Sequence, residues 1–323
     1  MRLSLLDRSR TRDGRPEAEG LTGSVERAVE AERLGYDRFW VAEHHAVPGI
    51  ASGSPPVLLA SIGARTSRIR LGSGGVMLPN HQPLVVAEQF LMLEALHPGR
   101  IDLGVGRSVG FTAPVREALR ADLDATDTFE ADVTELRRLL DGDAAVTAHP
   151  VATTSVPMSL LATGRGLSIA ARLGLPVVVG GPVLHTDEGA EAIAAYRRDF
   201  RPSPMAADPY VTISLDVHVA DDDATARELA LPEAWAMARS RQTGEFPPLE
   251  PVASIRAQSW GAQLTKRVER SLDQAVAGSP ATVRGLLDDI VARTGADELM
   301  ASTSTFDRAD LLASDAALRE IVT

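Results

Sequence analysis

Histidine, glycine and arginine residues stand at the ends of several short apolar runs in this sequence. The runs are the predicted strands 38–43, 69–74 and 101–105. At or just beyond their ends come, in chain order, His44, His45, Gly74, Gly75, Asn80, His81 and Arg107. In a parallel α/β barrel, the carboxyl ends of the strands surround one active site. We therefore expect these residues to meet at the mouth of a single pocket.

The Glu43-His44-His45 run has three interpretations. A histidine here could act as a general acid/base or contact a cofactor, because the pKa of histidine lies near neutrality. A structural histidine bonded to the backbone is the second interpretation. Metal ligation is the third, but no H-E-x-x-H or H-x-H spacing is present, so no metal site is predicted. Adjacent strand residues point to opposite faces, so only one of the two histidines faces the pocket unless the strand has already ended.

Glycine and amide residues follow the third predicted strand. Gly74 and Gly75 lack side chains where the chain leaves that strand, which favours either close approach to a flat ligand or a tight turn. Asn80 and His81 offer hydrogen-bonding groups just before a helix. Helix capping explains Asn80 almost as well as ligand binding does.

Two cationic positions flanked by glycine predict an anion site. Arg107 follows the fourth strand, and Thr163, Gly164, Arg165 and Gly166 lie between the fifth strand and a helix. A guanidinium group binds phosphate or carboxylate through paired hydrogen bonds, and the free N–H groups of a helix N-terminus add donors. Together these positions are better evidence for phosphate binding than either one alone.

Eight apolar runs alternate with helical patterns along the 323 residues. The other predicted strands are 3–6, 158–162, 176–179, 210–219 and 299–303. No short hairpin joins neighbouring strands, so the sequence predicts a (β/α)8 TIM barrel, although a doubly wound sheet would share most of this alternation. A barrel needs about 250 residues. We therefore predict a single domain, 1–323, with an insertion after strand 7 that forms a lid at about 240–275.

The walls of the pocket are expected from three less regular segments. They are the loop 8–20 with its four arginines, residues 108–115, and the insertion. A solvated surface loop is an equally good interpretation of 8–20.

The composition of the chain argues against several classes of function. The chain has 33 basic and 44 acidic residues, a formal net charge of −11, and no basic block, which argues against a nucleic-acid partner. It contains no cysteine, so redox chemistry would need a bound cofactor. No apolar stretch reaches about 18 residues and no signal peptide is evident, so we predict a cytoplasmic protein without membrane attachment.

The sequence resembles the bacterial luciferase-like family of flavin-dependent monooxygenases, especially its small single-subunit oxidoreductases. The matching segments are LGYDRFWVAEHH at 34–45, SGGVMLPNHQPLVVAEQF at 73–90, LEALHPGRIDLGVGR at 93–107, ARLGLP at 171–176 and AGSPATV at 277–283. The resemblance spans most of the chain and is densest over 34–107. It implies a (β/α)8 barrel, usually dimeric, that binds reduced FMN at the carboxyl-terminal mouth.

The resemblance also implies roles for individual residues. His44 matches the catalytic histidine of the family, and Gly74 and Gly75 match a strand end whose cis peptide supports the isoalloxazine ring. Arg107 and the 163–166 loop match the flavin phosphate site. His45, Asn80 and His81 are expected to line the pocket.

The implied reaction is oxygenation of a small organic substrate. A separate reductase would deliver reduced FMN, which reacts with O2 to give a C4a-(hydro)peroxyflavin, while the lid excludes water. A deazaflavin-dependent hydride transfer and a non-catalytic flavin-binding protein are the alternatives. Light emission is not expected, because no cysteine stands beside the flavin.

Overall fold

The computed structural model describes residues 1–110, 112–121 and 127–322. Its strands are β1 (Arg2–Asp7), β2 (Arg38–Val41), β3 (Arg70–Ser73), β4 (Val76–Met77), β5 (Ile101–Gly106), β6 (Met158–Leu161), β7 (Val177–Gly180), β8 (Val211–Leu215), β9 (Val217–Val219), β10 (Val276–Gly278) and β11 (Glu298–Ala301). Its helices are α1 (Ala18–Leu34), α2 (Pro55–Gly63), α3 (Pro83–Leu96), α4 (Ala113–Ala118), α5 (Phe129–Asp141), α6 (Arg165–Leu173), α7 (Asp187–Asp199), α8 (Asp223–Thr243), α9 (Val252–Arg256), α10 (Ala262–Gln274), α11 (Pro280–Thr294) and α12 (Arg308–Ile321). Two 3-10 turns cover Leu78–Asn80 and Pro182–His185.

Eight parallel strand positions close into a barrel. The order is β3, β2, β1, β11, β8, β7, β6 and β5, and β3 pairs with β5 to complete the circle. β4 continues the β3 position and pairs with β5. The predicted (β/α)8 barrel is confirmed. No helix within the described residues combines the length and the apolar character that a bilayer crossing requires.

Apolar periodicity accounts for the outer helices. In α5, Phe129, Val133, Leu136 and Leu140 are buried at helical spacing against the barrel core. The helix stops at Gly142, which adopts a φ of 77° that a side chain would disfavour.

Six residues from inside the barrel form a separate apolar floor beneath the mouth. They are Leu6, Trp40, Ala42, Val178 and Met300, with Leu161 packed against them. The indole needs a glycine beside it, because a Cβ on Gly72 would lie 2.4 Å from Trp40 Nε1. The floor is therefore filled by protein, and any ligand must bind above it.

Two sequence predictions about element bounds are wrong. The predicted strand 210–219 is two strands, because the chain turns at Asp216 and β9 leaves the barrel to pair with β10. The predicted loop 8–20 ends earlier, since α1 begins at Ala18. The short helix α4 was not predicted at all.

The insertion between β9 and β10 contains α8, α9 and α10 and has its own apolar core. Trp235 is its largest buried side chain and stacks on Trp260 with ring centroids 5.2 Å apart. The predicted lid, 240–275, therefore consists of the end of α8, a proline-containing connection, α9 and α10. Its role as a lid stays a prediction.

Backbone hydrogen bonds attach that connection to the barrel. Leu249 N donates to Thr11 O (2.9 Å), and Asp13 N donates to Leu249 O (2.8 Å). Gly49 N donates to Phe246 O (2.8 Å). The loop after β1 thus forms the seam between the barrel and the insertion.

A buried carboxylate strengthens the same seam. Glu233 of α8 is 3 % exposed, and its Oε2 accepts a hydrogen bond from Arg10 Nε (2.9 Å). Arg8 Nη1 lies 3.1 Å from Glu233 Oε1. Burial alone would raise the pKa of Glu233, but the two arginines outweigh burial and lower it. Two of the four arginines of the 8–20 loop therefore hold the insertion, rather than only facing solvent or substrate.

Neutralising Glu233 should destabilise the protein. In Glu233→Gln, the buried Arg10 guanidinium would keep only carbonyl partners, Gly49 O at 2.6 Å and Pro247 O at 3.3 Å. An unpaired buried charge costs about 3–5 kcal/mol, which urea unfolding followed by circular dichroism would measure.

Glu228→Gln is the matched control on the same helix. Glu228 pairs with Arg256 at the surface, where both side chains are nearly half exposed. Its loss should cost less than about 1 kcal/mol. Equal losses for the two variants would contradict a special role for Glu233.

Candidate active site

A buried carboxylate organises the histidines at the mouth. Glu43 follows β2, and its Oε1 accepts hydrogen bonds from His45 Nε2 (2.7 Å) and His81 Nε2 (2.6 Å). Its Oε2 accepts a hydrogen bond from Met77 N (3.1 Å). Burial would raise the pKa of Glu43, but the hydrogen bonds from the two histidines outweigh it and lower the pKa to about 2. Glu43 is therefore an ionised acceptor at neutral pH.

This arrangement fixes both rings. An ionised carboxylate only accepts hydrogen bonds, so each Nε2 must carry a proton. When neutral, each ring then presents the lone pair of Nδ1 away from Glu43. The two ring centroids are 6.3 Å apart. The sequence pattern indicated the histidines but not the carboxylate that joins them, although the position of Glu43 directly before His44 and His45 was a usable signal.

The same three residues have spacing that a metal ion could use. Ligand atoms of Glu43, His45 and His81 all lie within 4.8 Å of one another. The hydrogen bonds that His45 Nε2 and His81 Nε2 donate to Glu43 Oε1 are sufficient to explain this spacing. The sequence prediction of no metal site therefore stays a prediction.

His44 has a different electrostatic environment from its neighbour. Its backbone N–H donates to Ser52 O (2.9 Å), and the residue is half-buried. Burial lowers the pKa of His44 to about 4, and the positive charges of Arg8 and Arg10 contribute. The ring is therefore neutral at pH 7 and able to accept a proton.

Close packing surrounds the glycines at the end of β3. A Cβ on Gly74 would lie 2.3 Å from Leu6 Cδ1, and one on Gly75 would lie 3.0 Å from Gly104 O. The peptide bond between Gly74 and Gly75 is cis, as the family resemblance implied. Close packing against the barrel floor explains the absence of side chains, and approach of a flat ligand stays a prediction.

Asn80 lies just after β4 and does not cap a helix. Gln82 is the N-cap of α3, and no side chain caps that helix. The Oδ1 and Nδ2 atoms of Asn80 are both buried, and neither has a hydrogen-bond partner among the described residues. A buried amide without partners costs about 1–3 kcal/mol, which favours the ligand interpretation over the capping one.

The two predicted anion-binding segments converge. Arg107, which follows β5, and Arg165, at the start of α6, both approach Asp127 Oδ2, from Nη2 at 2.5 Å and Nη1 at 3.6 Å respectively. One carboxylate oxygen is thus shared by two guanidinium groups, so the pair has the geometry to grip one anion. Asp127 was not identified from the sequence, because it precedes α5 without a distinctive motif.

The loop between β6 and α6 keeps its backbone exposed to such an anion. Gly164 adopts a φ of 51°, and Thr163, Gly164 and Arg165 are exposed. Thr163 O accepts a hydrogen bond from Gly166 N (3.0 Å), which closes the first turn. Of the predicted pocket wall 108–115, residue 111 lies outside the described residues.

A cavity of about 300 Å³ opens beside the mouth of the barrel. Its walls come from the ends of β1, β7, β8 and the loop after β11, and its roof from α8 and α10. Pocket walls from the loop after β1 and from the insertion were predicted from the sequence. No individual side chain of the insertion was identified in advance. Arg267 and Arg270, three residues apart on the polar side of α10, were the available signal.

Known proteins share both the sequence and the fold. The profile of the luciferase-like monooxygenase family matches residues 1–298. An Escherichia coli K12 protein named luciferase-like monooxygenase is 37 % identical over 311 residues, which cover 94 % of this chain and 92 % of that protein. The crystal structure of apo-MsnO8 is 35 % identical with a TM-score of 0.89, covering 99 % of this chain and 98 % of that chain.

More distant structures show the same fold with two kinds of cofactor. The oxygenating constituent of 3,6-diketocamphane monooxygenase from Pseudomonas putida, solved with FMN, has 16 % identity and a TM-score of 0.75. An F420-dependent secondary alcohol dehydrogenase has 14 % identity and a TM-score of 0.71. In each case the alignment covers 99 % of this chain and 97 % of the other. Because the family profile and the close relatives span nearly the whole sequence, the chain belongs to the luciferase-like monooxygenase family.

Proposed function

We propose that this protein is a flavin-dependent monooxygenase that binds reduced FMN at the barrel mouth and oxygenates a small organic substrate with O2. The observation that carries the proposal is the buried, unpartnered amide of Asn80 at the mouth. A side-chain amide offers one acceptor and two donors, which complement the alternating N–H and C=O groups on the pyrimidine edge of a flavin. A ligand of that kind would relieve the cost of burying Asn80.

Other residues of the mouth fit the remaining parts of FMN. Arg107 and Arg165, which already share a carboxylate oxygen, would hold the phosphate. The backbone N–H groups of Gly164 and Arg165 would add donors, since those of Gly166 and Leu167 already donate to Thr163 O and Gly164 O. The backbone of Gly74 and Gly75 would support the ring system. When bound, the reduced flavin supplies the electrons that activate O2.

The chain's own contribution is proton handling and positioning. His44, neutral at pH 7, would accept or return a proton at the reacting group. Glu43 would hold His45 and His81 as pocket walls in one orientation. The insertion would cover the mouth and exclude water, which protects reactive species from side reactions.

A deazaflavin cofactor is the second candidate. The F420-dependent alcohol dehydrogenase uses the same fold, and an arginine pair would hold a phosphodiester as well as a phosphomonoester. With that cofactor the reaction would be hydride transfer rather than oxygenation.

Partners and location complete the proposal. Helices α2 and α3 expose the apolar side chains of Val57 (72 %), Met92 (54 %) and Leu96 (63 %), which would be covered in a protein interface. We place a homodimer contact there. A separate flavin reductase would act as a transient partner in the cytoplasm.

Mixing reduced FMN with O2 tests the proposed function. Saturating protein should slow the oxidation of reduced FMN and delay the release of hydrogen peroxide, measured by stopped-flow absorbance. In thermal unfolding, FMN at about 100 times its Kd should stabilise the protein by about 2.7 kcal/mol. Oxidation at the free-flavin rate, together with stabilisation by F420 instead of FMN, would favour the deazaflavin enzyme.

Arg107→Ala should weaken FMN selectively. Losing a charge-assisted contact to phosphate costs about 1.5–3 kcal/mol, or about 10- to 100-fold in Kd, whereas riboflavin, which has no phosphate, should bind as before. Arg138→Ala is the control, because its side chain is 48 % exposed against 49 % for Arg107. Equal weakening of FMN and riboflavin would exclude a phosphate contact at Arg107.

Stability should fall on acidification partly because of His44. Its folded pKa of about 4 lies below the ordinary 6.5, so the unfolded chain binds more protons between these values. This contribution to stability is present above pH 6.5 and is lost as pH falls towards 4, to the extent of about 3 kcal/mol at most. His44→Gln should therefore show a smaller drop in urea-unfolding free energy between pH 7 and pH 4.5. An unchanged drop would mean that His44 titrates normally.

A further inference from the structure

The cavity beside the mouth has an unusual charge balance. Four arginines line it: Arg8 after β1, Arg241 from α8, and Arg267 and Arg270 from α10. Asp216 is the one carboxylate that lines it among the described residues. The whole chain is acidic, with a net charge of −11. An excess of arginine in one cavity therefore does not follow from overall composition.

The single carboxylate is already engaged. Asp216 Oδ1 accepts hydrogen bonds from Arg8 Nη2 (2.8 Å) and Ser302 Oγ (2.8 Å). The guanidinium groups of Arg241, Arg267 and Arg270 form no ion pair or hydrogen bond with any described residue. Arg267 is half-buried, whereas Arg241 and Arg270 are exposed at the rim of the cavity. An anion bound among them would therefore gain charge-assisted hydrogen bonds from guanidinium groups that are not already engaged by any described residue.

The rest of the cavity suits an organic molecule with an apolar part. Leu6 and Leu215 line the side towards the barrel, and Met237 lines the roof. A volume of about 300 Å³ matches the lower end of small-molecule sites. The ligand would place its anionic end under the insertion and its apolar part against the barrel.

The cavity adjoins the proposed reaction site. Arg8 follows β1 and His44 follows β2, and these strands are paired with Asp7 opposite Val41. Arg8 is the charged side chain that acts most strongly on His44. A molecule lying along the cavity could therefore reach the vicinity of His44 with its apolar end.

We propose that Arg241, Arg267 and Arg270 bind the carboxylate of the substrate, so that the enzyme acts on small organic acids. The identification of this ligand as the substrate rests on the proposed function. The phosphate of the cofactor is the other possible source of an anion, and it belongs to the separate pair Arg107 and Arg165. The insertion thereby selects the substrate as well as covering the mouth.

Binding of a carboxylate probe and its neutral counterpart tests the proposal. The full-length protein is titrated by calorimetry with 4-phenylbutyrate and with 4-phenylbutan-1-ol, without flavin. The carboxylate should bind about tenfold more tightly or better, as expected for a charge-assisted contact. In the double variant Arg267→Gln/Arg270→Gln, the two probes should bind within about twofold of each other.

Two further variants make the result decisive. Lys266→Ala, an exposed residue of α10 outside the cavity, should leave the preference for carboxylate unchanged. If the double variant unfolds at a lower temperature than wild type, Arg241→Gln replaces it and should likewise reduce the preference for the carboxylate probe. Equal binding of both probes to wild type, or a preserved preference in the folded variants, would overturn the proposal.

Flavin binding separates this proposal from the proposed function. The double variant should bind FMN and riboflavin as wild type does. Selective loss of FMN would assign the cavity to the cofactor phosphate and overturn the substrate site. If the wild-type protein prefers the carboxylate probe but binds no FMN, the result would support a carboxylate site in the cavity and refute the proposed flavin-dependent activity.

Discussion

The contact of Glu233 with Arg8 and Arg10 is the interaction on which the arrangement of the mouth depends. It joins residues more than two hundred positions apart and places α8 over the carboxyl end of β1. Burying three charges is expensive, and only close pairing offsets the cost. Burial lowers the pKa of His44, the same two arginines lower it further, and Arg8 also lines the neighbouring cavity. The insertion, the environment of His44 and one wall of the cavity therefore all involve the same buried group of charges.

The polar groups of the mouth differ in how completely the protein satisfies them. Both oxygens of Glu43 accept hydrogen bonds, so its network is complete without a ligand. Asn80 has no partner of its own. The fold thus satisfies one buried group fully and leaves another unsatisfied among the described residues, although Asn80 directly precedes the His81 that Glu43 holds. In the proposed function, Glu43 would be a positioning residue and Asn80 a contact residue for that reason.

Local patterns in the sequence predicted the barrel, but not the pairing of its charges. Strand and helix periodicity gave most of the barrel elements, since aliphatic runs and glycine stops act over a few residues. The break at Asp216 was missed because Val217–Val219 is as apolar as the strand before it, and only its partner β10 shows that it has left the barrel. The role of Glu233 was invisible for the same reason: nothing in α8 indicates that its carboxylate meets Arg10. Long-range electrostatic contacts have no local signature.

The order of strands around the barrel separates two groups of cations. Arg107 and Arg165 follow the neighbouring strands β5 and β6, whereas the arginines of the cavity lie above β7, β8 and β1. One group shares Asp127, and the other has no carboxylate free to share. In the proposed function, a cofactor phosphate would bind at the first group and leave the second group without an anion of its own. We propose that the second group binds the carboxylate of the substrate, so that a cofactor and an acidic substrate bound together would supply one anion to each group.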